Sequence, residues 1–238
     1  MSDERGDMAL GDGLREMLIA RDAALVGYAD LHQVPAEARL GLPRGVSIAV
    51  ALDPHIIRGI EKAPTREYFQ LYKDVNQFLN ELAAAAVDFL KERCYRAEVW
   101  PSTGGIEMST LSVRVQHKTV ATRAGLGWIG KTALLITPEF GGAQRFVSVL
   151  TDAPLPVGEP IDESRCGECR VCTDMCPSGA SAGRNWRLGM QREELFDAFA
   201  CCDWSRARGE KTGDGVPICG RCVAVCPHTQ GYLKRAGA

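Results

Sequence analysis

Cys166-Gly-Glu-Cys169-Arg-Val-Cys172-Thr-Asp-Met-Cys176-Pro177 spaces four thiols as C-x2-C-x2-C-x3-C-P. This is the bacterial [4Fe–4S] arrangement, in which three thiolates wrap one cubane and the fourth ligates a second one. Further along, Cys219-Gly-Arg-Cys222-Val-Ala-Val-Cys226-Pro227 gives C-x2-C-x3-C-P, one thiol short of the usual four. Two cubanes need eight thiolates and the two runs supply seven, so the eighth must come from Cys201 or Cys202. Crossed ligation assigns Cys166, Cys169, Cys172 and Cys226 to one cluster. It assigns Cys176, Cys219, Cys222 and either Cys201 or Cys202 to the other. A zinc site prefers paired thiolates totalling four around one ion, which fits these triplets poorly. A disulfide framework needs an oxidising compartment and fits less well still.

Working outward, ten of the 238 residues are cysteine, yet only Cys94 lies in the first 165. At the end of a long helix, Cys94 reads as a buried small hydrophobe. The change in composition coincides with Thr151-Asp-Ala-Pro-Leu-Pro-Val-Gly-Glu-Pro160, whose three prolines disfavour helix and predict an extended connector. Two parts are therefore expected: residues 1–155, a cysteine-poor cofactor or substrate domain, and residues 156–238, a double-cluster module. A net charge of -2 argues against a chain that coats nucleic acid. No apolar run approaches the ~20 residues that span a bilayer. The start, Met1-Ser-Asp-Glu-Arg-Gly-Asp7, is too charged and acidic for a signal peptide, so a cytoplasmic location is expected.

The first part alternates between helical and strand-like patterns, which favours an α/β layer architecture. A short amphipathic helix is predicted over 14–24, with strands at Leu25–Ala29 and at Val46–Leu52 before the turn signal Asp53-Pro54. The strongest element runs from about Arg66 to Arg93, where apolar residues from Tyr68 to Leu90 mostly keep the spacing of one buried face. Thr65 is its predicted N-cap. Glu98–Trp100, Leu134–Ile136 and Phe146–Leu150 read as strands, and Lys118–Ala124 as a helix closing before a glycine.

That glycine opens Gly125-Leu-Gly127-Trp-Ile-Gly130-Lys131, a formal G-x-G-x-x-G. Asp152 stands near where a ribose-binding acid would fall. A dinucleotide fingerprint must open a helix, however, and Lys131-Thr-Ala-Leu-Leu-Ile-Thr-Pro138 reads as a strand broken by proline. A structural turn, or a loop whose backbone lies close against another bulky cofactor, remains.

Ala124–Ile136, Leu150–Pro156 and the cysteine runs together resemble the epoxyqueuosine reductase family, which is related to the reductive dehalogenases. The resemblance implies an α/β domain of nitroreductase-like α+β architecture that binds cobalamin, followed by a ferredoxin-like double [4Fe–4S] module. It implies a corrinoid near Gly125, Gly127, Gly130 and Lys131, with Leu135, Phe146 and Val149 at positions that line it in the family; plain β core is the other reading of those three. It also favours Cys201 over Cys202 as the eighth ligand.

There are departures. The family places a proton-donating aspartate before the glycine loop, but this chain has no aspartate between Asp88 and Asp152. Glu98, Glu107 and His117 are the ionisable residues nearby, and His117 is the chosen general acid. The sequence ends twelve residues after Cys226, so the tRNA-binding extension of longer relatives is expected to be missing and tRNA is not the expected partner. Reductive dehalogenases are generally longer and carry a twin-arginine signal, which puts that identity in doubt.

The expected function is an iron–sulfur oxidoreductase passing single electrons to a corrinoid or small-molecule substrate, fed by a donor such as ferredoxin or flavodoxin. The alternatives are an electron carrier or corrinoid-reactivating partner, and a non-redox protein whose clusters only stabilise the fold. Trp186 and Trp204 are expected to shield the cubanes from water. Arg165, Arg170 and Arg221 would soften thiolate charge or dock an acidic ferredoxin.

Overall fold

In the computed structural model, residues 3–100, 107, 109–111, 113, 115–212 and 217–238 are described. In chain order the elements are α1 (Asp3–Ile19), β1 (Leu25–Asp30), β2 (Arg44–Ala51), α2 (Pro54–Gly59), α3 (Arg66–Lys91), β3 (Ala97–Trp100) and α4 (His117–Arg123). They continue with β4 (Trp128–Ile129), β5 (Leu135–Ile136), β6 (Gln144–Thr151), α5 (Val171–Asp174), α6 (Ala198–Thr212), α7 (Arg221–Ala224) and α8 (Pro227–Arg235).

The mixed α/β expectation holds, with antiparallel pairing. One sheet has the order β1-β2-β6-β3. Val26 stands opposite Ile48 and Tyr28 opposite Val46, while Val99 stands opposite Val149, both pairings antiparallel. Such a sheet is α+β in character rather than the parallel sheet of βαβ units.

Contacts divide the chain into two compact units that are interleaved in sequence. One comprises residues up to Val50, Val75–Leu126 and Arg145–Ile161; the other comprises Ala51–Asp74, Gly127–Gln144 and Asp162–Ala238. The cysteine distribution, by contrast, draws a single boundary near residue 155.

In the first unit α1 and α4 pack on β1. Ala29, Leu31, Leu42, Val115, Val120, Ala124 and Leu150 form one buried cluster there. Gly27 has a clear reason to be glycine: a Cβ would lie 2.9 Å from the Leu126 side chain and 3.0 Å from that of Ala124. In the second unit Asp53 caps α2, accepting the His55 and Ile56 amides at 2.8 and 3.1 Å, with Pro54 as the first helical residue. Helices α2, α7 and α8 pack together, and α5 packs against α7. The Tyr232 hydroxyl donates to the Leu52 carbonyl at 2.9 Å.

Helix α3 begins where its sequence predicts, with the Tyr68 amide donating to the Thr65 hydroxyl at 3.3 Å. Its buried stripe also takes in Phe69, Asn76, Ala83 and Ala86, whereas Leu71, Phe78 and Phe89 are only half-buried. Helix α1 corrects the prediction: it starts at Asp3 and ends at Ile19, well before residue 24. Asp22 turns left-handed at φ 64, and the Ala23 amide closes onto Leu18 at 3.1 Å. Three glycines lower the intrinsic helix propensity of the early turns, and packing overrides it. A Cβ at Gly11 would sit 2.5 Å from Pro156, so glycine admits the proline ring.

Cys94 is also corrected. It is exposed, with φ 65, as the residue that closes α3 rather than part of its buried face. Residues 152–160 form neither helix nor strand, and the Leu155 amide turns back onto the Ala153 carbonyl at 2.8 Å. No described helix is long and apolar enough to cross a membrane.

Candidate metal-cluster centre

Three segments of the second unit carry the clustered cysteines. In the first, Gly167 adopts φ 53 and the Cys169 amide turns back onto the Cys166 carbonyl at 3.1 Å. The single helical turn α5 follows, and the Cys176 amide reaches the Thr173 carbonyl at 3.2 Å. In the last, Gly220 opens α7 at φ 75, and a Cβ there would fall 2.4 Å from Ile60 and 2.8 Å from Tyr68. Only glycine fits between Cys219 and Cys222 at this point. Cys226 then leads into α8, with Pro227 at its first turn. The middle segment is α6, which carries Cys201 and Cys202.

The clustered thiols lie close enough to interact electrostatically. Burial pushes Cys172 up to about 11, and the charges of Cys226, Cys166 and Cys169 add to the rise. Cys226 is likewise raised by burial, opposed by the Thr229 and His228 amides, with Cys166 and Cys169 raising it further. Burial also lifts Cys201 to about 11, the Ser205 hydroxyl opposing and Cys219, Cys176 and Cys202 adding to the rise. Cys222 is strongly raised, first by burial of its thiol and then by Cys219, Cys201, Cys172 and Cys176. Most of these interactions run within Cys166, Cys169, Cys172 and Cys226 or within Cys176, Cys201, Cys219 and Cys222, with Cys172 and Cys222 interacting across the two sets.

All ten cysteines are free thiols. Among the described residues, no three His, Cys, Asp or Glu side chains form a site for a single metal ion. Eight soft sulfur donors in two fours are the donor set two cubanes require, so these residues fit the group.

On a helix, consecutive side chains diverge by about 100°, so Cys201 and Cys202 cannot share a target. Cys201 is the one with Cys176 and Cys219 as neighbours. The Cys202 sulfur instead accepts from Arg206 at 3.5 Å. Cys176 runs against the trend. Burial would raise it, but the Ser178 hydroxyl and the amides of Ser178, Ala180 and Ser181 together hold it below the ordinary thiol value. Burial raises Cys219, partly offset by the Arg221 amide and guanidinium. Arg221 also donates to the Glu61 carbonyl at 3.0 Å, which fixes its position.

The other expected residues fall into place as follows. Trp186 is buried with Ile129 and Leu195. Trp204 carries the Arg208 guanidinium over its ring at 5.0 Å. Arg165 lies 5.7 Å from the Trp128 ring, and Arg170 pairs with Asp174 at 3.4 Å on the exposed side of α5.

The glycine run is followed by the β4–β5 hairpin rather than a helix, so the dinucleotide alternative is not built. Its glycines answer to protein packing. A Cβ at Gly125 would meet the Glu159 carbonyl at 2.6 Å, at Gly127 the Ile136 carbonyl at 2.2 Å, and at Gly130 the Ile136 side chain at 2.9 Å. Lys131, Leu135 and Val149 are buried, and Phe146 is half-buried. These contacts are those of core packing. Asp152 accepts the Arg96 amide at 2.8 Å. Among the acid candidates, Glu98 and Glu107 are exposed, while His117 opens α4 half-buried with Nδ1 2.9 Å from the Ser148 hydroxyl.

Sequence spacing had missed the amide donors around Cys176 and the role of Gly220. The C-P-S-G-A-S context of Cys176 was the available signal for the former.

No sequence-family model matches the chain. Epoxyqueuosine reductase of Pseudomonas aeruginosa is 32% identical over 199 residues, covering 81% of this chain and 53% of the relative. That of Bacillus subtilis is 28% identical over 235 residues, covering 92% and 58%. That of Bacillus anthracis is 33% identical over 124 residues, covering 49% and 30%. The chain thus spans between 30% and 58% of the length of these relatives.

Among solved structures, an epoxyqueuosine reductase with an epoxyqueuosine-modified tRNA stem loop superposes with TM-score 0.64 at 22% identity, covering 94% of this chain and 66% of that one. A reductive dehalogenase described with B12-dependent dehalogenation gives TM-score 0.69 at 20% identity, covering 93% and 33%. These superpositions establish a shared fold. With the sequence matches beside them, the chain belongs to the superfamily that includes the epoxyqueuosine reductases, and it shares its fold with the reductive dehalogenase.

Proposed function

We propose that this chain is an iron–sulfur reductase. Residues 156–238 hold two [4Fe–4S] clusters, and residues 1–155 present the electron acceptor, a small molecule. The observation that carries this reading is that the spaced cysteine runs 166–176 and 219–226, together with Cys201 and Cys202, fall in one compact unit, with electrostatic interactions among their thiols. Cys166, Cys169, Cys172 and Cys226 would hold one cluster, and Cys176, Cys201, Cys219 and Cys222 the other. Bound there, the clusters would supply one-electron transfer.

The remaining chemistry belongs to the chain. The amides around Cys176 and the Arg221 charge beside Cys219 stabilise anionic sulfur. Trp186, Ile129 and Leu195 exclude water from their surroundings. His117, anchored to Ser148, is the side chain assigned to hold a proton for the acceptor. Exposed Val171 and Met175 flank Cys172 on the α5 segment, which favours electron exchange with a protein donor such as ferredoxin or flavodoxin there. The same feature is what the second reading needs, an electron carrier or corrinoid-reactivating partner without substrate chemistry. A cytoplasmic location goes with either reading, because thiols stay reduced there.

One solved relative is described with a modified tRNA stem loop and another with B12-dependent dehalogenation, which brings tRNA and B12 into consideration. A net charge of -2 speaks for a small acceptor over tRNA. The packing of the glycine run gives a corrinoid no support of its own.

Anaerobic purification with iron, sulfide and cobalt quantitation tests the proposal. About eight irons per chain are expected, and a content of one or two zinc ions with no iron would sink it. Cobalt uptake on adding cobalamin, with a corrinoid absorbance band, would restore the corrinoid as the acceptor.

A further inference from the structure

Trp128 opens β4, and its backbone is fixed by pairing with Ile136 in the β4–β5 hairpin. The side chain is 2% exposed, and its Nε1–H is buried without a hydrogen-bond partner among the described residues. Buried indole N–H groups ordinarily find an acceptor, because the alternative is an uncompensated loss of hydration.

The ring's neighbours indicate where that acceptor lies. The His228 ring meets it edge-on, with centroids 5.0 Å apart and planes at 76°. The Arg165 guanidinium stands 5.7 Å from it, and this group is a donor with nothing to accept. Arg165 immediately precedes Cys166, and His228 lies two residues after Cys226. The indole is therefore held between the chain segments that carry the first and last thiols of one proposed set of four.

We propose that Trp128 Nε1–H donates to a sulfur of the cluster held by Cys166, Cys169, Cys172 and Cys226, and so tunes that cluster alone. This rests on the iron–sulfur reading above. The physical effect has a definite sign. Reduction adds negative charge to the cluster, a donated N–H stabilises that charge, and the bond therefore raises the midpoint potential.

Two measurements on the anaerobically prepared full chain test this. In an EPR-monitored redox titration, Trp128→Phe keeps the ring and removes the donor. One midpoint should move to lower potential, with the other midpoint and the iron content unchanged. In pulsed EPR of the reduced wild type grown with indole-15N tryptophan, one indole nitrogen should couple to a cluster, and Trp128→Phe should abolish the coupling. Should the variant fail to fold, coupling in the labelled wild type decides alone.

Two cluster signals without indole coupling, and with midpoints unmoved by the variant, would overturn the role of Trp128 and leave water as the acceptor. The iron–sulfur reading would survive that result. Absence of cluster signals in the wild type would overturn both.

Discussion

The sheet of the first unit and the cysteine segments of the second are ordered by different means. Strands β1, β2 and β6 are buried along most of their length, and Ile48, Val147 and Leu150 are inaccessible to solvent. That order comes from apolar burial and needs no metal. The thiol-bearing helices α5 and α7 have four residues each, too few to persist on their own. Most of the clustered thiols are only partly buried. What holds three separated segments in register there, on the proposed reading, is iron, whose binding energy becomes folding energy. On that reading, one unit of the chain owes its order to apolar burial and the other owes part of its order to metal.

Iron removal should break the two apart most visibly. After anaerobic chelation, hydrogen exchange should rise steeply over 166–176 and 219–226, while amides of β1, β2 and β6 keep their protection. Equal loss in the sheet would dissolve the comparison.

Single thiol changes sharpen it. Cys226→Ser should remove about four of about eight irons by taking away a ligand of the first cluster. Cys222→Ser should remove the other four. Cys201→Ser should behave as Cys222→Ser does, and Cys202→Ser should keep all the iron. The reverse outcome would move the eighth ligand to Cys202, and an unchanged iron count in Cys226→Ser would refute crossed ligation.

In the sheet the complementary experiment is Ile48→Ala. Deleting a buried side chain that is 0% exposed should cost about 2–5 kcal/mol in denaturant unfolding. Iron per folded chain should not change. Loss of iron in step with stability would mean that the two regions fold as one.

The two regions also differ in how they read from sequence. The cysteine segments offer their spacing, which matches the crossed ligation of two cubanes and is the ground of the proposed reading. The strands are legible through apolar runs, and α3 through its stripe and Thr65. What escaped detection depends on tertiary contact. Helix α1 hides behind Gly6, Gly11 and Gly13, and Gly11 is justified only by Pro156 and Tyr28. Cys94 has the composition of a core residue, yet a left-handed turn at the end of α3 exposes it. The close approaches of the glycine run to Ile136 and Glu159 are likewise tertiary contacts that local sequence does not show.

Thr65 tests the comparison at its smallest scale, since α3 contributes residues up to Asp74 to one unit and the remainder to the other. The Thr65 hydroxyl accepts the Tyr68 amide at 3.3 Å, a long bond that belongs at the weaker end for a cap. It also bonds Glu67, whose carboxyl is held below its usual value first by its own backbone amide and then by Thr65. Thr65→Ala should therefore cost about 0.5 kcal/mol of stability, Thr65→Ser should restore most of it, and neither should alter iron content. A depressed carboxyl pKa contributes stability above the unfolded-state value and loses it as pH falls through the folded one. The gap between wild type and Thr65→Ala should accordingly narrow in acid, where Glu67 is protonated in both folded and unfolded chains and that part of the bond no longer counts. A gap independent of pH would assign the whole effect to the Tyr68 amide. Iron loss in Thr65→Ala would show that the start of α3 supports the thiol segments as well as its own first turn.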